Sequence, residues 1–235
     1  YGIESVIADP REVEVRNGKL WAEGKPIDLI YKRVLISELL ERGGLDHPVV
    51  QAVRKRQVCM INPFRCKILF KKASFAVLSD ERNRKLLSTE EWQAVAAHIP
   101  WTRTVEPRKT EDPDGHMVDL LDYLGRNKDR LVLKPNDDYG GKGIVLGWTV
   151  DDAAWDAAIK TALANPYIVQ DRVNLPREAY PSYEAGRLQI IDRMVDTDPY
   201  VIHGSYMEGS LCRFSTADLL NVTAGGGSTV PTFVI

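Results

Sequence analysis

Leu131-Val132-Leu133-Lys134-Pro135-Asn136-Asp137-Asp138-Tyr139-Gly140-Gly141-Lys142-Gly143-Ile144 is the stretch on which the reading of this chain turns. Its apolar start predicts a buried strand, and a lysine at the end of such a strand is costly to bury unless something anionic meets it. Beyond it, Gly140-Gly141-Lys142-Gly143 lets backbone N–H groups approach and cradle a phosphate. Ile144-Val145-Leu146 resumes a strand, so the whole stretch predicts a hairpin around a polar, glycine-rich turn. On the loop alone, a plain hairpin turn with a snorkelling lysine is the competing reading.

Spacing separates this turn from other nucleotide motifs. A P-loop needs G-x-x-x-x-G-K-[ST], whereas Asn136 or its neighbours replace the first glycine and Gly143 follows Lys142. The dinucleotide fingerprint G-x-G-x-x-G fails because Leu146 stands where its last glycine belongs. In protein kinases the glycine loop precedes the strand lysine; here the lysine comes first.

Working outward, Val13 to Arg16 and Lys19 to Trp21 flank Asn17-Gly18, a preferred type I′ hairpin pair. Ile27 to Tyr31 predicts a short apolar strand ending in Lys32-Arg33, followed by a helix over 37–42 that Gly43-Gly44 stops. Val49 to Arg56 predicts a further helical turn or two, and Val58 to Ile61 a buried strand that Asn62-Pro63 ends. From Lys71 to Ala97 the pattern is helical, with Phe75, Leu78, Leu86, Leu87, Trp92 and Val95 as core candidates. The charged, proline-bearing span from Thr104 to Gly115 predicts an exposed loop, and Asp119 to Asn127 a short helix. Asp151 caps a helix that Asn165-Pro166 stops, and Tyr167 to Gln170 is the next strand. The remainder predicts short strands alternating with turns. The fold class is α+β, with mostly antiparallel hairpins in the second half.

The totals bound the function class. The chain has 235 residues, 44% hydrophobic and 27% charged, enough for one large domain or two lobes around real cores. A net charge of −2 supplies no basic field to draw it to nucleic acid or an anionic membrane. No apolar run approaches the roughly 20 residues that span a bilayer, and no signal-peptide pattern stands at the start. The odd set Cys59, Cys66 and Cys212 lacks metal-ligand spacing and predicts free thiols in a cytoplasmic protein. The opening Tyr1-Gly2-Ile3, without an initiator methionine, is read as a fragment of a longer protein. His47, His98, His116 and His203 are scattered, with no nucleophile motif beside them. Arg54-Lys55-Arg56 reads as a solvated helix face, and the aromatics do not interleave with bases as a nucleic-acid platform requires.

The order of strand lysine, then glycine flap between antiparallel strands, resembles the ATP-grasp superfamily. Across nearly the whole chain the likeness is strongest to its circularly permuted, glutathionylspermidine synthase-like branch. Ile30-Tyr31-Lys32-Arg33 resembles that branch's strand ending in a Tyr-Arg-Arg-like step, and Asn62-Pro63 with Lys71-Lys72-Ala73 resembles its Asn-Pro segment and first nucleotide lysine, placed at Lys72. Lys134 resembles the second lysine and Gly140 to Gly143 the phosphate flap. Val169-Gln170-Asp171-Arg172-Val173 resembles the hinge that holds adenine through backbone atoms. Asp196-Thr197-Asp198-Pro199-Tyr200 resembles a block usually written Asp-Leu-Arg-Pro-Phe. Leu211-Cys212-Arg213 and Asn221 to Ser228 resemble the closing arginine, metal-binding asparagine and glycine run.

The resemblance implies an ATP-grasp fold of two α+β lobes gripping the nucleotide. It implies an N-terminal α/β region over 1–103 contributing Arg33 and Lys72, a lobe over 104–175 with flap and hinge, and a C-terminal lobe over 176–235. ATP and Mg²⁺ are the implied cofactors: Lys72, Lys134, Gly140, Gly141, Lys142, Gly143, Gln170, Asp171 and Val173 bind the nucleotide, and Asp196 and Asn221 the metal. Arg213, Lys134 and Arg33 are the implied catalytic cations. Singly, Asp196 reads as a turn residue, Arg213 as a surface ion pair and Gly225 to Gly227 as a loop; their joint order carries the reading. Two positions depart from the pattern. Asp198 stands where the family has arginine, and Leu219 where many members have a second metal-bridging glutamate, for which Glu208 or Asp192 are weak substitutes.

The implied reaction joins a carboxylate to an amine through an acyl-phosphate, with small-molecule or peptide substrates and no nucleic-acid or membrane partner. An ATP-grasp phosphotransferase and an inactive nucleotide-binding module are the alternatives.

Overall fold

The computed structural model describes residues 2–216 and 227–232. The chain divides into two compact units, Tyr1–Lys71 and Lys72–Ile235.

In the first unit, β1 (Glu14–Arg16), β2 (Lys19–Ala22) and β3 (Lys25–Ile27) form an antiparallel sheet. Asn17 and Gly18 turn the first hairpin with φ of 48° and 76°, the left-handed pair a type I′ turn demands. β4 (Leu29–Tyr31) runs parallel to β5 (Cys59–Ile61), and α1 (Ile36–Gly43), α2 (Pro48–Arg54) and α3 (Cys66–Phe70) complete the unit. Leu20, Leu39, Val49, Val50, Ala52 and Val58 are its buried core. The expected buried strand over 58–61 is buried only at Val58. Cys59 and Ile61 are exposed, and among the described residues β5 pairs with β4 alone.

The second unit holds the flap. Its helix α4 (Ala73–Ser79) is followed by α5 (Thr89–His98), β6 (Thr102–Thr104), β7 (Lys109–Glu111), β8 (Met117–Asp119) and α6 (Leu120–Arg126). Then come β9 (Leu131–Pro135), β10 (Val145–Leu146), α7 (Asp152–Ala164) and β11 (Tyr167–Asp171). The sheet order is β10-β9-β11-β6 with every pair antiparallel. Successive strand residues face opposite sides. Leu131, Leu133 and Val169 therefore join Leu120, Leu124 and Trp155 in the core, while Lys134 and Gln170 stand on the other side. Asp151 caps α7 by accepting from the Ala154 amide at 2.8 Å.

A second antiparallel sheet follows: β12 (Arg177–Glu184), β13 (Arg187–Ile202), β14 (Tyr206–Ser215) and β15 (Gly227–Val230). β12, β13 and β14 are longer than the short strands expected, with 8, 16 and 10 residues, whereas β15 has four. β13 runs 16 residues, and its pairing with β14 shifts register between Tyr200 and Val201.

Two further expectations are corrected. The segment 71–97 is not one amphipathic helix. Asp80 accepts from the Arg82 amide and Ser88 from the Glu91 amide, each capping a new element and resetting the helical phase. Phe75, Leu78 and Leu86 are consequently exposed, and Leu87, Trp92 and Val95 only half-buried. Nor is 104–115 an exposed loop. β7 and β8 pair as a hairpin, Val105 and Thr110 are buried, and Arg108 joins a buried ionic network, while Lys109 and Asp114 stay exposed. Arg108 donates to Asp80 and to Glu81, each at 2.5 Å. Arg103, 2% exposed, donates to Glu81 at 2.9 Å and to Thr110 Oγ1 at 2.6 Å.

The thiols of Cys59, Cys66 and Cys212 are free. Among the described residues no helix is long and apolar enough to cross a membrane.

Candidate functional site

Lys134 leaves the apolar run of β9 with its side chain half-buried, on the face opposite the core. Its ammonium donates to Gln170 Oε1 at 2.7 Å, a neutral acceptor. Burial, and then the charge of Lys72, push the Lys134 pKa below the ordinary lysine value. The two lysines thus act on one another although 62 residues of chain separate them by number (134 − 72).

Asn136 brings them together. Its carbonyl accepts from the Lys72 amide at 3.1 Å and its side-chain oxygen from the Ala73 amide at 2.9 Å, tying the start of α4 to the turn. Lys72 Nζ then donates to the Asp138 carbonyl at 2.6 Å. Beyond it Gly140, Gly141 and Gly143 take φ of 68°, 78° and 69°, in the left-handed region. Lys142 is exposed at the turn. Gly143 has a second constraint: a Cβ there would lie 2.7 Å from Pro135 Cγ and 3.0 Å from the Tyr167 hydroxyl. Gly143→Ala is therefore expected to lower stability by about 1–3 kcal/mol through strain and crowding, read by urea denaturation.

The hinge residues part company across the strand. Gln170 is buried on the Lys134 face, whereas Asp171 turns to Arg130, whose guanidinium donates to Asp171 Oδ2 at 2.8 Å. The Asp171 and Arg172 amides donate to the carbonyls of Trp101 and Arg130 at 2.9 and 2.8 Å. Val173 follows in irregular backbone with its side chain exposed. Asp171, Arg172 and Val173 also line a cleft of about 530 Å³ together with Trp92, Trp101 and Arg103. The lysine pair is not among the residues lining it.

Asp196 and Arg213 face each other across β13 and β14. Arg213 grips Asp196 with two hydrogen bonds, one at 3.0 Å and one from Nη2 to Oδ2, and reaches Asp198 at 3.2 Å. Asp198, which stands where the resemblance implies arginine, thus adds a second acid around Arg213. Each Asp196 oxygen accepts one bond from the guanidinium and keeps a further lone pair, so a Mg²⁺ ion there would share the carboxylate with Arg213. Asn221, Leu219, Gly225 and Gly226 lie outside the described residues, while Gly227 begins β15. Of the suggested substitutes, Asp192 pairs with Arg177 at 2.6 Å and Glu208 is exposed.

Arg33 is exposed in the first unit, after β4. Among the described residues, Asp112, Asp114 and His116 bring ligand atoms within 4.8 Å of one another, a grouping the sequence reading passed over. Asp112 Oδ1 there accepts from the Asp114 and His116 amides, each at 2.9 Å, which makes it the brace of the β7–β8 turn.

No family model matches this chain. A curated protein of Frankia casuarinae (strain DSM 45818 / CECT 9043 / HFP020203 / CcI3), named "Putative glutamate–cysteine ligase 2-2", is 26% identical over 214 residues. That match takes in 86% of this chain but 23% of the relative, so the chain spans about a quarter of that protein's length. Among solved structures, that of the ATP-grasp ligase PsnB complexed with a minimal precursor is similar over 88% of this chain and 64% of its own, with 15% identity and a TM-score of 0.38.

Proposed function

We propose that this chain binds ATP by its phosphates at Lys72, Lys134 and the Gly140 to Gly143 turn, and serves an ATP-dependent ligase. The observation that carries the reading is the lysine pair. A half-buried ammonium, held by a neutral oxygen and opposed by a second ammonium, lies at the root of a turn of left-handed glycines. A polyphosphate is the ligand that relieves this repulsion and accepts from the turn's backbone N–H groups. The likeness to a protein named a glutamate–cysteine ligase supports the ligase class.

The reaction we propose forms a C–N bond. A carboxylate oxygen attacks the γ-phosphorus and ADP leaves. The amine then attacks the acyl carbon, phosphate departs and the amine gives up a proton. The protein's part is positioning and charge neutralisation, since no side-chain nucleophile is needed. Lys72 and Lys134 hold the phosphates, and the backbone at Asp171 to Val173 receives the adenine. Arg213, once released from Asp196, steadies the transferred phosphoryl group. Mg²⁺ would be held by Asp196 and Asn221 and would neutralise polyphosphate charge. The free thiols support a reducing, cytoplasmic setting.

The test is calorimetric titration with Mg²⁺-ATP, followed by product analysis with a pool of amino acids and polyamines. ADP, phosphate and an amide are expected. A phosphorylated acceptor would reassign the chain to the phosphotransferases, and no binding would end the ATP reading.

A further inference from the structure

The environment of Gln170 carries one step more. Its carboxamide is locked from behind: Nε2 donates to Thr102 Oγ1 at 2.9 Å, and the Thr102 hydroxyl donates to the Pro100 carbonyl at 2.7 Å. With that hydroxyl hydrogen committed to a carbonyl, Thr102 Oγ1 can only accept from Gln170, so the amide group must face Thr102. Oε1 is thereby turned to Lys134, whose ammonium it receives at 2.7 Å. Thr102 is fully buried and Gln170 is 6% exposed, so water does not compete for these bonds. The Thr102 amide is in turn held by Ser79 Oγ at 3.2 Å, anchoring the relay to the end of α4.

The chemical choice at position 170 decides what Lys134 can do. A glutamate there would neutralise the ammonium, and a phosphate would then have to displace a buried carboxylate; having no donor, it could bond Thr102 only by drawing the hydroxyl hydrogen away from Pro100. A carboxamide fixes the position and leaves the charge. We infer that Gln170 is a positioning residue: clamped by Thr102, its neutral oxygen aims the Lys134 ammonium while leaving that charge for an anionic ligand. The inference rests on the reading that this turn takes the phosphates of ATP.

The experiment titrates the full chain with a non-hydrolysable ATP analogue and Mg²⁺ by calorimetry, with melting temperatures alongside. Gln170→Glu is expected to weaken binding by roughly 10–100-fold, the range of a charge-assisted hydrogen bond, while melting close to wild type, because the new ion pair to Lys134 offsets the lost donor to Thr102. A packing role would instead lower affinity and melting temperature together. Thr102→Ser, which keeps the hydroxyl, is expected to bind as wild type does, and Thr102→Val to bind several-fold more weakly. Wild-type affinity in Gln170→Glu, or parallel loss of affinity and melting temperature, overturns the role assigned to Gln170. Should Gln170→Glu not fold, the two Thr102 variants decide: equal affinities overturn the relay, and a gap between them supports it. Failure of the unaltered chain to bind the analogue overturns the ATP reading itself, a different result from any of these.

Discussion

Lys134→Met is expected to reduce ATP affinity about 30-fold or more with little change in melting temperature. Losing a partly buried charge partner of a phosphate costs roughly 2–5 kcal/mol of binding. The stability side nearly cancels. Methionine removes the desolvation cost that pushes the Lys134 pKa down, and removes its repulsion with Lys72. Against that, Gln170 Oε1 loses the donor it holds at 2.7 Å. Calorimetry and a thermal melt on the same preparation separate the two effects. Lys134→Arg is expected to fail as well, because a planar guanidinium does not fit a point contact built for an ammonium. Lys142→Ala, at an exposed turn position, is expected to cost less than tenfold. Binding of ATP by Lys134→Met within threefold of wild type would remove the central support for the proposed function.

Arg108→Ala is expected to destabilise the second unit by about 3–5 kcal/mol, the cost of stranding buried charges. Arg108 bridges Asp80 and Glu81 at 2.5 Å each, with side-chain exposures of 9%, 7% and 15% for the three residues. Burial alone would raise the Asp80 pKa, but the hydrogen bonds from Arg108 and Arg82 outweigh it and hold the carboxyl well below the usual range. The sign follows from proton counting. Below the ordinary aspartate pKa of about 3.9 the unfolded chain takes up a proton that folded Asp80 refuses. The stabilisation is therefore present above that pH and is lost as pH falls toward the depressed folded value. Arg108→Ala should flatten this acid limb as well as lower the plateau, both read by urea denaturation across pH. An unchanged plateau would mean that the network contributes nothing to folding.

Much of the scaffold was legible because its signals are local. Asn17-Gly18 specified a hairpin by tolerating positive φ, Asp151 a helix start by its reach to a nearby amide, and the Leu131 to Leu146 stretch a strand, turn and strand. The misreadings share one cause. Periodicity over 71–97 predicts one helix, but Asp80 and Ser88 restart the phase, and Asp80 is buried by a partner at position 108. The charges of 104–115 looked solvated because composition does not reveal which carboxylate will meet which guanidinium.

The candidate site divides in the same way. By itself the sequence determined that a lysine would end an apolar strand ahead of a left-handed glycine turn, since strand propensity and glycine φ are properties of a few adjacent residues. Only the tertiary structure decided that Asn136 binds the start of α4 and sets Lys72 beside Lys134. It alone placed Gln170 on the lysine face and Asp171 on the other, and closed Arg213 onto Asp196. Those choices depend on which distant groups share a desolvated space, where unmet hydrogen bonds and unpaired charges are expensive. That energy belongs to the packed whole and has no signature in any short stretch of chain.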